Sequence, residues 1–85
     1  MEPYRVLVCL EVLRLEKPSR CDRDLILNFL GGLARDPYAK GDYEEQDEVG
    51  RTVQIRVRGR YALTYWADHA VREVKVMKIE LADQI

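Results

Sequence analysis

Hydrophobic residues near the start of the chain recur in twos. Tyr4, Val6 and Val8 alternate with Arg5, Leu7 and Cys9, which is the period of a strand. Because Leu7 and Cys9 are themselves apolar, this strand is expected to be buried mainly on one face and partly on both, either inside a sheet or covered. From Leu10 to Lys17 the spacing loosens to Leu10, Leu13 and Lys17. That suggests a short helix, with a continued strand as the alternative, and Pro18 ends either one. The clearest helix follows. Ser19 suits an N-cap and Asp22 places a carboxylate in the first turn, while Leu25, Ile26, Phe29, Leu30 and Leu33 fall on one face at helical spacing. Gly31 and Gly32 each cost about 1 kcal/mol relative to alanine inside a helix, so they are expected to mark either close approach to a sheet, the preferred reading, or fraying. Asp36 precedes Pro37, which stops the helix near Arg35.

The pattern then returns to twos. A loop through residues 36–42 leads to a short acidic strand, Tyr43 to Asp47, and a turn at Glu48 to Gly50. Val53, Ile55 and Val57 share one face and Gln54, Arg56 and Arg58 the other, as in a half-buried antiparallel strand. Gly59 reverses the chain into a strand with Tyr61, Leu63 and Tyr65 expected inward and Ala62, Thr64 and Trp66 outward. After a turn through 67–70, Val74 and Val76 are followed by Met77 and Ile79, a change of phase that a bulge or burial on both faces explains. The predicted order is strand, helix, helix and a meander of four strands. This is a two-layer α+β domain (β-α-α-β-β-β-β) over residues 1–85, with an antiparallel meander sheet and helices on one face.

The chain has 85 residues and a formal net charge of −1, so its core is thin and a nucleic-acid binder driven by overall positive charge is disfavoured. Any anion site must come from local clustering. Two cysteines, Cys9 and Cys21, make no disulfide framework, and both are read as reduced. With one histidine and no metal-ligand spacing, neither a metal nor a small-molecule cofactor is expected. The opening "MEPYRVLVCLEVL" lacks the basic start and clean apolar run of a signal peptide, and there is no membrane span, so a cytoplasmic location is expected.

Local clustering does occur on the predicted outer face. Arg56 and Arg58 project from one strand, Arg51 and Arg60 stand at its ends, and Lys75 and Lys78 lie two strands on. A guanidinium fork matches phosphate oxygens, whereas cross-strand pairing with Glu44, Glu45 and Glu73 is the simpler use of the same charges. Trp66 is expected on that face too, and Trp with Arg is over-represented among binding hot spots. Arg51, Arg56, Arg58, Arg60, Trp66, Lys75 and Lys78 are therefore the candidate RNA- or partner-binding residues. His69 reads as a solvated turn histidine without a partner or cleft, Tyr65 as core, Asp42 to Glu48 as a solvated acidic strand and turn, and Asp22 and Asp24 as helix-start residues.

"LARDPYAKGDYEEQD" running into "GRTVQIRVRGRYALTYWADH" and "VKVMKIELAD" resembles the RelE/ParE superfamily of bacterial type II toxins along almost the whole chain. The pieces that carry it are the "LARDP" helix ending, the glycine-acid pair Gly41 and Asp42, the "GRYALTY" strand and the last valine-rich strand. The resemblance implies a sheet with its first strand beside its last, one face under the helices and the opposite face on the target. It also implies messenger RNA cleavage on the ribosome or inhibition of DNA gyrase, and neutralisation by a cognate antitoxin. The arginine that the RelE-like pattern often places after the hairpin tyrosine is here Ala62, and the late histidine and arginine correspond to Leu81 and Ala82. Alanine and leucine neither neutralise a scissile phosphate nor move a proton, so no catalytic residue is assigned. Three readings stand: a toxin acting on translation or gyrase, a non-catalytic RelE-fold module that binds a protein, and a ribonuclease using Arg56, Arg58 and Glu44.

Overall fold

The computed structural model describes residues 3–8 and 20–82. The helix or strand expected over 10–17, Cys9 and the Ser19 cap lie outside the described residues. Within them the order is β1 (Arg5–Val8), α1 (Arg20–Arg35), β2 (Tyr43–Gln46), β3 (Thr52–Arg58), β4 (Tyr61–Asp68) and β5 (Glu73–Leu81). The five strands form one sheet in the order β1-β5-β4-β3-β2. β2 to β5 run antiparallel as a meander, and β1 lies parallel to β5, with Val6 opposite Val74 and Val8 opposite Val76. The sheet is thus mixed, with its first strand beside its last, as the resemblance implies.

Turn chemistry fixes the first two hairpins. Between β3 and β4 the turn is two residues, Gly59 and Arg60, so Arg58 stands directly opposite Tyr61. Gly59 takes φ 59°, the left-handed geometry that two-residue hairpin turns need at their first central position. A Cβ there would run into the Asp22 carboxylate. Asp22 is buried in the first turn of α1, and Arg60 Nε donates to its Oδ2 at 3.0 Å. The helix start is thereby fastened to the hairpin tip. Between β2 and β3, Asp47 organises the turn: Oδ1 accepts from the backbone of Val49 (3.0 Å) and Arg51 (2.9 Å), and Oδ2 pairs with the Arg51 guanidinium at 2.6 Å.

The phase change in β5 is a bulge. Tyr65 pairs with Val76 but its neighbour Thr64 pairs with Lys78, leaving Met77 as an extra residue. Val74 and Val76 before the bulge and Ile79 after it therefore all reach one core, with Ile26 and Leu33 of α1 and Tyr61, Leu63 and Tyr65 of β4. Phe29 and Leu30 pack at its margin, Leu25 is 44% exposed, and Cys21 is exposed and unbridged. The preferred reading of Gly31 and Gly32 does not hold. Both are exposed and nothing lies within 4 Å of where their Cβ atoms would be, so neither marks a close approach to the sheet. The close approach is at Gly41, where a Cβ would overlap the Ile55 backbone.

Candidate functional site

Residues directly opposite each other on neighbouring strands point to the same side of a sheet. Arg58 is paired with Tyr61, Arg56 with Leu63 and Gln54 with Tyr65. Since Tyr61, Leu63 and Tyr65 belong to the core with α1, Arg56 and Arg58 lie on the helix side. The Arg58 guanidinium confirms this by lying 5.1 Å from the centroid of the Phe29 ring. Ile55 and Val57 share the opposite side with Thr64 and Ala62, and that side also carries Lys78 and Glu80 opposite Thr64 and Ala62. The expected outer face bearing Arg56, Arg58 and Trp66 together is therefore not formed. Trp66 is on the far side, as expected, and the two arginines are on the near side.

Each near-side cation has an internal contact. Arg56 Nη1 pairs with Asp42 Oδ1 at 3.2 Å, and the other Asp42 oxygen accepts the Val57 N–H at 2.9 Å. β2 ends its pairing at Ile55, so beyond that point the edge of β3 has no neighbouring strand, and a carboxylate takes the next N–H on that open edge. Gly41 and Asp42 are thus a structural clamp: the glycine lets the loop lie on β3, its N–H donating to Gln54 Oε1 at 2.8 Å, and the acid closes the edge. Tyr65 donates to the Ala39 carbonyl at 3.1 Å beneath the same loop. Burial raises the Tyr65 pKa, Arg56 and Arg58 pull it down, and burial prevails. Arg56 Nε is buried with no partner among the described residues. The expected ladder of Arg56 and Arg58 with Glu44 and Glu45 is absent. Glu44 instead meets Gln54 and Lys40, contacts that hold its pKa below the usual carboxylate range.

The far side carries the remaining candidates. Trp66 sits between two cations, with Arg51 4.2 Å and Lys75 5.0 Å from its ring centroid. Both are also ion-paired, Arg51 to Asp47 and Lys75 to Asp68 at 3.1 Å. Burial opposes the Asp47 charge, but the Arg51 and Val49 N–H groups and the Arg51 guanidinium outweigh it and hold its pKa below the ordinary aspartate value. Beside this cluster is a cleft of about 490 Å³. Val53, Ile55 and Thr64 form its buried floor, Met77 and Lys78 one wall, and Glu45, Glu48 and Glu80 supply rim carboxylates. Lys78 is exposed and forms no ion pair among the described residues. A smaller apolar shelf continues past Trp66 to Leu7, which is 43% exposed.

This arrangement is poor in the groups RNA hydrolysis needs. Ala62 is fully buried, Leu81 packs at the margin of the core, and the Ala82 N–H donates to the Arg60 carbonyl at 2.9 Å. Arg56, Arg58 and Glu44 do not converge on the cleft. Among the described residues no three His, Cys, Asp or Glu side chains are placed to hold a metal ion, and no helix is long and apolar enough to cross a membrane. His69 departs from its expected isolation. It is exposed, but its Nδ1 is 2.8 Å from the Tyr4 hydroxyl and its ring stacks on Tyr38. Sequence spacing held no signal for that contact, because the three residues come from separate segments.

No family model matches the sequence, and no curated protein matches it. The fold does have a counterpart. Over 93% of this chain and 98% of the other, it superposes on a chain of the toxin-antitoxin complex RelBE2 from Mycobacterium tuberculosis, with a TM-score of 0.56 and 21% identity. The chain therefore has the RelE-like α+β fold.

Proposed function

We propose that the chain is the toxin-like member of a toxin-antitoxin pair and that it acts through protein contacts made by the far side of its sheet, without cleaving RNA. The toxin-antitoxin part of this reading is supported by the full-length structural similarity to a component of such a complex. The non-hydrolytic part is supported by one observation above the others. The arginines able to hold a scissile phosphate, Arg56 and Arg58, are on the helix side, whereas the far-side cleft has an apolar floor and three rim carboxylates, Glu45, Glu48 and Glu80, against the single unpaired Lys78. A phosphate backbone is repelled by such a rim. An amphipathic protein segment with apolar anchors and basic flanks is matched by it. The cognate antitoxin and the cellular target, whether gyrase or a component of translation, both fit this mode of recognition.

Induction of the protein alone in bacteria, followed by labelling of RNA, protein and DNA synthesis, tests the proposal. Growth arrest with intact messenger RNA is expected, and loss of DNA synthesis first would point to gyrase. Codon-phased messenger cleavage on ribosomes would overturn the non-hydrolytic reading. Normal colony formation at confirmed soluble expression would overturn the toxin reading.

A further inference from the structure

Away from the far-side cleft, the loop after α1, the approach to β1 and the β4–β5 turn bring three rings together. Tyr38 lies nearly flat on His69, with centroids 4.6 Å apart and planes 16° from parallel. Tyr4 meets His69 edge-on at 5.6 Å. Tyr38 is nonetheless 71% exposed, so the stack occupies one ring face and leaves the other bare. Burial and the neighbouring Tyr38 hydroxyl raise the Tyr4 pKa against the opposing charge of Arg72.

Tyr4 and Tyr38 also wall a cleft of about 630 Å³ that Arg35 and Arg72 line, with Asp36 as its carboxylate. Neither Arg35 nor Arg72 forms an ion pair among the described residues, and neither do Arg20, Arg23 and Arg58, whereas Arg5, Arg51, Arg56 and Arg60 do. Arg72 adopts φ 56°, a left-handed conformation that glycine or asparagine takes with far less strain, and such strain gathers at functional positions. An exposed aromatic ring thus lines the same cleft of small-ligand size as two guanidiniums that form no ion pair among the described residues.

We propose that this cleft binds a nucleotide, its base stacked on the free face of Tyr38 and its phosphate held by Arg35 and Arg72. A flat π-surface joined to an anion is the chemistry that both halves of the site recognise together. His69 is a positioning residue: anchored by the Tyr4 hydroxyl, it supports the Tyr38 ring from behind. The proposal is independent of the toxin reading and of the far-side cleft.

His69 is the only histidine in the chain, so its imidazole proton resonances report directly on the stack. Titration of the full-length protein with AMP, with a short single-stranded RNA and with ribose 5-phosphate distinguishes a free nucleotide from one within a strand, and either from a bare anion site. Saturable shifts with AMP or with the RNA are expected, weakening with added salt. Tyr38→Ala should weaken binding by roughly tenfold or more while Tyr38→Phe preserves it. Arg72→Asn, which keeps the left-handed backbone, should weaken it by roughly tenfold, the direction and scale expected for a charged contact. Arg5→Ala, whose guanidinium is already paired with Glu73 at 2.6 Å, should leave it unchanged. Equal affinity for ribose 5-phosphate, insensitivity to Tyr38→Ala, or no saturable shift up to about 10 mM ligand would each overturn the proposal, as would a preference for an acidic phosphopeptide.

Discussion

The two sides of β3 are built from opposite materials and used in the opposite way from what their composition suggests. Val53, Ile55 and Val57 form the apolar side, yet they face away from α1. Gln54, Arg56 and Arg58 form the polar side, yet they lie on the helix layer beneath the loop that follows it. On the helix side, polarity is absorbed by fitted internal partners: Asp42 for Arg56, the Phe29 ring for Arg58, and the loop backbone for Gln54. On the far side, apolar side chains form the floor of a cleft with a charged rim. A side chain's polarity therefore reports its need for a partner, and which face the helix covers has to come from elsewhere.

Substitutions on the two sides should differ in kind. Ile55→Ala removes a side chain that is 4% exposed and should cost about 3 kcal/mol in urea unfolding. A loss under about 1 kcal/mol would mean the far side contributes little packing and would break the contrast. Asp42→Ala leaves the Val57 N–H without its acceptor and Arg56 without its counter-ion, and a loss of about 1–2 kcal/mol is expected. Faster amide exchange at Val57 than at Ile55 would locate that effect at the β3 edge.

Tyr65→Phe tests the helix side by pH. Loss of the hydrogen bond to Ala39 should cost about 1 kcal/mol near neutrality. Because burial raises the native pKa of Tyr65 above its ordinary value of 10.0, the tyrosine's contribution is fully present below that value and is lost as pH rises through the native pKa. The phenylalanine variant should accordingly lose less stability than the native chain in strong alkali. Arg58→Ala has the smallest expected effect, about 0.5–1 kcal/mol from the contact with Phe29, and it should leave partner affinity unchanged. A large drop in affinity with unchanged stability would return Arg58 to the binding surface.

The α+β class, the helix ending at Arg35, the four-strand meander, the phase change in β5 and the inward set Tyr61, Leu63 and Tyr65 were legible in the sequence, because each is a local periodicity, whereas β4 runs on to Asp68 through part of the turn expected at 67–70. The facing of β3 was legible too, but only by combining two local facts. With Gly59 and Arg60 as a two-residue turn, Arg58 must stand opposite Tyr61, so an inward Tyr61 carries Arg58 to the same side. Reading β3 by its valines alone gives the reverse result. The Asp42 clamp and the Tyr4, Tyr38 and His69 stack were not legible, since each joins segments far apart in sequence with no shared spacing. Their trace in the sequence is limited to the residue types themselves: a glycine before an acid, and tyrosines in loops.

The pairing of β1 with β5 governs how the molecule is made. β5 is the bridge between β1 and the rest of the sheet, and among the described strands it is the farthest from β1 along the chain. While β2, β3 and β4 can pair as they emerge, β1 must wait as an unmatched segment through the synthesis of more than sixty intervening residues, from Val8 to Glu73. Closing so distant a contact is slow, and a strand awaiting its mate is open to other chains. Assembly of the complete sheet therefore waits until β5 has been made, and the nascent chain is most vulnerable to proteases and chaperones just before that point.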